Sequence, residues 1–210
     1  MKAAQIAEFF ARLKATNPKP TTELEYANLY SLLVAVVLSA QATDKSVNKA
    51  TKSLFAIADT PEKMLKLGEA KLRDHIKTIG LYRNKAKNVI LLSEQLMRDH
   101  AGEVPRTRDE LVKLAGVGRK TANVVLNVGF GEATFPVDTH VFRLANRSGL
   151  ARGKTVLDVE QSLDKLVPSP YRQGAHHWLI LHGRYICKAR KPDCANCVVH
   201  DLCAFEDKLV

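Results

Sequence analysis

The chain has 210 residues, 46% of them hydrophobic, with 32 Lys and Arg against 22 Asp and Glu. This length and apolar content indicate a soluble globular protein with one large or two small domains. Its only cysteines fall within residues 187–203, which excludes a disulfide framework spread through a secreted fold. The net charge of +10 favours an anionic partner, with nucleic acid as the leading candidate, although surface lysines also keep many proteins soluble.

The first 15 residues predict an amphipathic helix, because Glu8, Arg12 and Lys14 interrupt the apolar run that an export signal needs. We therefore expect no export signal and a cytoplasmic protein associated with the nucleoid. The most apolar run, residues 29–38, is too short to span a bilayer. It predicts a buried helix and no membrane partner.

Apolar residues recur at three- and four-residue spacings along most of the chain, whereas the alternation of a strand is nearly absent. The predicted fold class is all-α, with helices of about ten to fifteen residues. Helix starts are expected at Thr60 and Thr107. Helix ends are expected near four glycines, Gly68, Gly80, Gly102 and Gly116. No long linker divides the chain, so any domain division must arise from packing.

Residues 111–123 predict a tight turn between two helices. Gly116 and Gly118 allow positive φ and close approach to the backbone. The free N–H groups at the start of the second helix form a site for an anion such as a phosphate, a contact that holds DNA without reading its sequence. A plain helix–helix turn with no ligand is the alternative. Residues 79–86 repeat the pattern of residues 115–122, with Gly, Arg and Ala in register.

Lys120 lies in the first turn of that second helix, where the helix dipole disfavours a cation. The dipole, with Arg119 and Lys113, is expected to favour the neutral amine that a nucleophilic lysine needs. A phosphate-binding lysine that never reacts is the alternative. Asp138 is expected to be the N-cap of a helix that starts within residues 135–143. An ionised capping carboxylate can also stabilise positive charge on a sugar ring or orient the lysine.

The four cysteines have the spacing C-x6-C-x2-C-x5-C and are Cys187, Cys194, Cys197 and Cys203. A common zinc pattern has two C-x2-C pairs, whereas this window has one. Four thiolates in a compact run with unequal gaps also hold iron–sulfur clusters. The spacing alone leaves an iron–sulfur cluster, a structural zinc ion and paired disulfides open, in that order of preference.

The chain resembles the helix-hairpin-helix DNA glycosylases with an iron–sulfur cluster. The resemblance lies in the cysteine spacing together with two segments, LAGVGRKTANVVLN (114–127) and VDTHVFR (137–143). Three further stretches match the same family, at 38–51, 76–86 and 176–187. The resemblance covers the chain from about residue 20. Each motif alone is moderately specific, and the combination is highly specific.

The resemblance implies a bifunctional DNA glycosylase and AP lyase of base excision repair. Its implied partner is double-stranded DNA with a damaged base or an abasic site, and a monomer is expected. Lys120 would be the nucleophile that attacks C1′ and forms a Schiff base, and β-elimination would then cut the strand 3′ to the lesion. Asp138 would be the catalytic partner of the lysine. Oxidised pyrimidines such as thymine glycol are the implied substrates.

The resemblance also implies that the four cysteines ligate a [4Fe–4S] cluster. Lys188, Arg190 and Lys191 lie in the loop between the first two cysteines, so the cluster would act as a clamp that presents them to phosphates. A neighbouring apolar segment carries three histidines that we expect to be packed or capping residues rather than metal ligands, namely His176, His177 and His182.

The residues that would contact DNA are Gln41, Leu81, Gly116, Val117, Gly118, Arg119, His140, Lys188, Arg190 and Lys191. Gln41 would fill the gap left by an extruded base, and Leu81 would wedge into the opposite strand. Structural alternatives exist for both. Leu81 follows Gly80 as a hydrophobic residue that packs back onto a helix end, and Gln41 satisfies a helix end.

The implied fold has two helical lobes. A six-helix barrel domain would span 22–132, with the helix-hairpin-helix at about 107–130, and a cluster domain would combine 1–21 with 133–210. One departure is Ala115, where the family usually has proline. The turn is therefore expected to be less rigid, by up to about 1 kcal/mol of unfolded-state entropy.

Two alternatives compete with this interpretation. The first is an adenine-mismatch glycosylase without lysine-dependent strand cleavage, which Lys120 and the lack of a recognition domain after Val210 argue against. The second is a noncatalytic DNA-binding module on a metal-stapled helical scaffold, in which Lys120 would be a dispensable phosphate contact.

Overall fold

A computed structural model of the chain describes residues 1–208, and the secondary structure of these residues is helical, with no β-strand. The predicted all-α fold class is confirmed. Besides two short 3-10 turns, the described helices in chain order are α1 Ala3–Thr16, α2 Leu29–Leu38, α3 Asp44–Phe55, α4 Pro61–Leu67, α5 Glu69–Ile76, α6 Tyr82–Asp99, α7 Arg108–Leu111, α8 Arg119–Phe130, α9 Thr139–Ser148, α10 Val156–Leu166 and α11 Arg172–Tyr185.

The chain separates into two compact units. One is Glu23–Phe130, and the other combines Met1–Thr22 with the chain from Gly131 onward. Helices α2 to α8 therefore belong to the first unit, and α1 and α9 to α11 belong to the second. The assignment of these units as a barrel domain and a cluster domain stays a prediction.

The core of the first unit is built around α2. Every residue from Tyr30 to Leu38 is buried, because the segment is apolar on all faces. The predicted buried helix is confirmed, and α3, α6 and α8 pack against it. Within residues 1–208, no helix combines the length and the hydropathy that a membrane span requires.

Two helix starts in the first unit are where the sequence predicts them. The Thr60 side chain accepts the Lys63 N–H at 3.2 Å, and the Thr107 side chain accepts the Glu110 N–H at 3.3 Å. The helices that follow, α4 with 7 residues and α7 with 4, are shorter than predicted. Gly68 ends α4 at φ 80° and begins α5 at once, and α7 ends where the chain enters the glycine hairpin.

The second unit has its own core. The amphipathic helix predicted at the N-terminus is confirmed, and its buried residues are Ile6, Phe9, Phe10 and Leu13. Trp178 of α11 donates its ring N–H to the Asn17 carbonyl at 2.8 Å, which ties α11 to the end of α1. Helix α11 also packs against α9. A Cβ at Gly183 would lie 2.9 Å from the His140 carbonyl oxygen, so only glycine allows this close approach.

Candidate functional site

The glycine hairpin between α7 and α8 lies against α6. Gly116 has φ 76°, and a Cβ there would lie 3.0 Å from the Asn88 Cβ of α6. The Ala115 N–H donates to Gln95 Oε1 at 2.7 Å, and Gln95 Nε2 donates to the Lys113 carbonyl at 3.0 Å. Sequence reasoning missed Asn88 and Gln95. Their only sequence signal is a seven-residue spacing, which places them on one face of a helix.

The residues that follow the hairpin glycine face solvent. Gly118, Arg119 and Lys120 are exposed, and Lys120 is the second residue of α8. Val117 is only 6% exposed and packs in the core, so it can reach a ligand only through its backbone. The exposed start of α8 therefore combines the backbone N–H groups of a helix start with two cationic side chains, an arrangement suited to an anion.

Alanine substitutions are expected to separate the two hairpin glycines. Gly116→Ala should lower the free energy of unfolding by about 1–3 kcal/mol, because φ is positive and the new Cβ meets Asn88. Gly118→Ala should change it by less than about 0.5 kcal/mol, because nothing lies within 4 Å of its Cβ position. Thermal melting of both variants checks this contrast. A Gly118→Ala variant that melts as early as Gly116→Ala would contradict it.

Asp138 is the N-cap of α9. Its Oδ1 accepts the backbone N–H groups of His140 and Val141, both at 2.9 Å. The predicted capping role is confirmed, since two of the free N–H groups at the start of the helix are satisfied by one carboxylate oxygen. Asp138 and His140 are both half-buried, so the fold fixes the carboxylate while leaving part of it open to solvent.

Two arginines of α9 hold the chain around the first cysteine. Arg143 donates to the Gly183 carbonyl at 2.6 Å and to the Cys187 carbonyl at 3.0 Å. Arg147, one turn later, donates to the Lys188 carbonyl at 2.7 Å and to the next carbonyl at 3.0 Å. Sequence reasoning missed both, although their four-residue spacing places them on one face of the helix. The helix capped by Asp138 thus anchors the first cluster loop.

The four cysteines are free thiols that line one cavity, so disulfides are excluded. Burial raises the pKa of Cys197 and of Cys203, and the neighbouring thiols act in the same direction. Four thiolates together need a cationic group, which an iron–sulfur cluster supplies. Among residues 1–208, no three His, Cys, Asp or Glu side chains converge closely enough to hold one metal ion. Four thiols around one cavity suit the four thiolate ligands of an iron–sulfur cluster.

The three histidines of α11 are buried, with exposed fractions of 4%, 8% and 8%. The prediction that they are packed residues is confirmed. Burial lowers the pKa of His182 to about 4, so its ring is neutral at physiological pH. Its Nε2 lies 3.4 Å from Cys197 Sγ. Lys188, Arg190 and Lys191 of the first cluster loop are all exposed, as contacts to phosphate require.

Four residues other than glycine have positive φ in the described chain. They are Gln41 at 55°, Leu81 at 59°, Ala101 at 51° and Lys191 at 49°. Three of the four were singled out as DNA contacts from the sequence. Such backbone strain is concentrated at functional sites.

The packing alternative for Leu81 is wrong. Gly80 does not adopt positive φ, and Leu81 itself takes the left-handed conformation at the start of α6. Its side chain is 57% exposed, so it does not pack back onto the preceding helix. Gln41 is also exposed.

Comparisons with known proteins identify the family. Residues 34–169 match the HhH-GPD superfamily of base excision DNA repair proteins, and residues 187–203 match the iron–sulfur binding domain of endonuclease III. The chain is 54% identical to endonuclease III of Haemophilus influenzae over 209 residues, which cover 100% of this chain and 99% of the relative. The chain belongs to the endonuclease III family. Endonuclease III of Escherichia coli K12 is 53% identical over the same coverage.

Solved structures support the assignment of the chain to the endonuclease III family. A trapped endonuclease III–DNA covalent intermediate matches with a TM-score of 0.91 and 45% identity, covering 97% of this chain and 96% of that one. A thermostable thymine-DNA glycosylase matches with a TM-score of 0.83 and 25% identity, covering 99% and 95%. As a member of this family, the protein binds DNA and is a bifunctional glycosylase and AP lyase of base excision repair. The predicted [4Fe–4S] cofactor is confirmed, and the two alternative functions are not favoured.

Proposed function

We propose that Lys120 is the nucleophile with which this protein removes oxidised pyrimidines from double-stranded DNA. The observation that carries the proposal is the exposed position of Lys120 in the first turn of α8, directly after the hairpin that α6 holds in place. The helix dipole there favours the neutral amine over the ammonium. The trapped covalent complex of a relative with 45% identity also supports it.

The chemistry follows from the amine. Lys120 Nζ forms a bond to C1′ of the deoxyribose while the bond from C1′ to the base breaks, and the base leaves with the electron pair. Opening of the sugar ring gives a Schiff base between Nζ and C1′. Loss of a proton from C2′ then expels the 3′ phosphate oxygen, which cuts the strand 3′ to the lesion.

Asp138 is the second catalytic residue of the proposal. Its carboxylate is fixed by two backbone N–H groups. A fixed negative charge stabilises the positive charge that develops on the sugar as the base leaves. The role proposed for Asp138 is therefore electrostatic.

The proposed DNA contacts are of two kinds. The first kind binds phosphates. One phosphate is bound at the start of α8 by Gly116, Val117, Gly118 and Arg119, and others are bound by the first cluster loop through Lys188, Arg190 and Lys191. His140 adds a contact near the start of α9. Gln41 and Leu81 act on the bases, by filling the vacated position and by wedging into the opposite strand. The net charge of +10 supports this binding. The proposal includes action as a monomer on the nucleoid.

Borohydride trapping tests the proposed substrate and intermediate. The wild-type protein is mixed with a duplex that carries one thymine glycol, and borohydride reduces any Schiff base to a stable amine. A covalent protein–DNA adduct is expected on this duplex and not on an undamaged duplex of the same sequence. No adduct on the damaged duplex, under conditions in which the protein binds it, would refute the proposal.

A further inference from the structure

One backbone N–H of the glycine hairpin, that of Ala115, bonds to a side chain outside the hairpin. The N–H groups of Lys113, Leu114 and Val117 each bond to a carbonyl three residues earlier, at 3.1 Å. The Ala115 N–H instead bonds outside the hairpin, to the Gln95 side chain at 2.7 Å. The local bonds of the turn are therefore interrupted at Ala115, and Gln95 completes them.

The first helix of the hairpin is short. Helix α7 has only 4 residues, and a helix of that length has little stability of its own. Helix α6 has 18 residues and a buried face, so it is the rigid element on which the hairpin rests. Gln95 is half-buried at this contact.

The Gln95 amide contacts both sides of the interruption. Its Oε1 accepts the Ala115 N–H, and its Nε2 donates to the Lys113 carbonyl at 3.0 Å. One side chain therefore fixes two backbone positions directly before Gly116. An amide side chain carries an acceptor oxygen and a donor nitrogen side by side at its end. Alanine at position 115 is expected to make the turn less rigid, and this pair of bonds compensates for the lost rigidity. A proline at position 115 has no N–H and cannot form the bond to Oε1.

We propose that Gln95 is a positioning residue that holds the glycine hairpin of α7 and α8 in its DNA-binding conformation. This inference rests on the proposed function, since it assumes that the hairpin binds a DNA phosphate. Lys120 is held separately, because α8 is anchored in the core by Ala122, Val124 and Val125. Loss of Gln95 therefore weakens DNA binding without slowing the reaction of bound DNA.

The variant Gln95→Ala tests the role of the amide. We expect the Kd for a duplex with a tetrahydrofuran abasic analogue to rise about fivefold, the equivalent of one ordinary hydrogen bond. The single-turnover cleavage rate at saturating damaged DNA should stay at the wild-type value. Gln161→Ala makes the same substitution at an exposed position of α10 and should leave the Kd unchanged. Gln95→Met replaces Gln95→Ala if that variant does not fold.

Adding Ala115→Pro to Gln95→Ala tests whether a stiffer turn restores DNA binding, which is expected only if Gln95 acts by positioning the hairpin. In the wild-type background, proline removes the N–H that Gln95 accepts, so the Kd should rise or stay constant. In the Gln95→Ala background no bond is lost and the turn becomes stiffer, so proline should lower the Kd.

Different results would overturn the role of Gln95 and the proposed function. An unchanged Kd in Gln95→Ala, an equal rise in Gln161→Ala, or no improvement by proline in the Gln95→Ala background would each overturn the role of Gln95. A wild-type protein that does not bind the abasic duplex would instead overturn the proposed function.

Discussion

Replacing Lys120 by glutamine is expected to abolish the borohydride-trapped adduct and to slow strand cleavage at an abasic site by at least about a thousandfold. Glutamine keeps most of the length of the side chain and a polar end, but the electron pair of its amide nitrogen is delocalised into the carbonyl and does not attack C1′. Binding of the tetrahydrofuran duplex should remain, because the N–H groups at the start of α8 are unchanged. Gel analysis of trapped complexes and a binding titration measure the two effects.

Lys113→Gln is the matched control for this experiment. Lys113 is an exposed lysine on the same hairpin, so the substitution removes the same charge without removing the nucleophile. It should retain trapping. Undiminished trapping by Lys120→Gln would assign the nucleophile to another amine.

Local signals in the sequence predicted the helical scaffold and several site residues. The apolar run of α2 predicts burial on every face, and Thr60, Thr107 and Asp138 predict helix starts because their side chains accept N–H groups a few residues later. The cysteine spacing predicted a metal centre for a similar reason, since all the ligands fall within one short segment. Such features depend on residues close together in the chain.

The supporting contacts were not predictable in the same way. Gln95 meets Ala115 across 20 residues, and Arg143 meets Cys187 across 44. A polar side chain on a helix has many possible partners until the packing of the helices is known. The conformation of Leu81 was also misjudged, because a glycine beside it was the better candidate for a turn. Long-range packing, rather than local preference, decides the contacts of Gln95 and Arg143.

Leu81→Gly is expected to raise or maintain stability and to impair base removal from duplex DNA. Leucine at φ 59° is strained by about 1–2 kcal/mol, whereas glycine is not. The side chain is 57% exposed, so little packing is lost. Without the wedge, extrusion of the damaged base becomes harder, and the single-turnover rate on duplex DNA should fall by about tenfold or more. The rate on the same lesion in a single strand should change little, because no opposite strand is present.

Ala101→Gly provides the control for Leu81→Gly. Ala101 has φ 51°, so glycine relieves similar strain there, but Ala101 has no proposed contact with DNA. Its variant should match Leu81→Gly in thermal melting and match the wild type in duplex rate. An equal loss of rate in both variants would attribute the effect to backbone flexibility. A duplex-specific loss confined to Leu81→Gly would show that the Leu81 side chain, rather than backbone strain, supports base removal from duplex DNA.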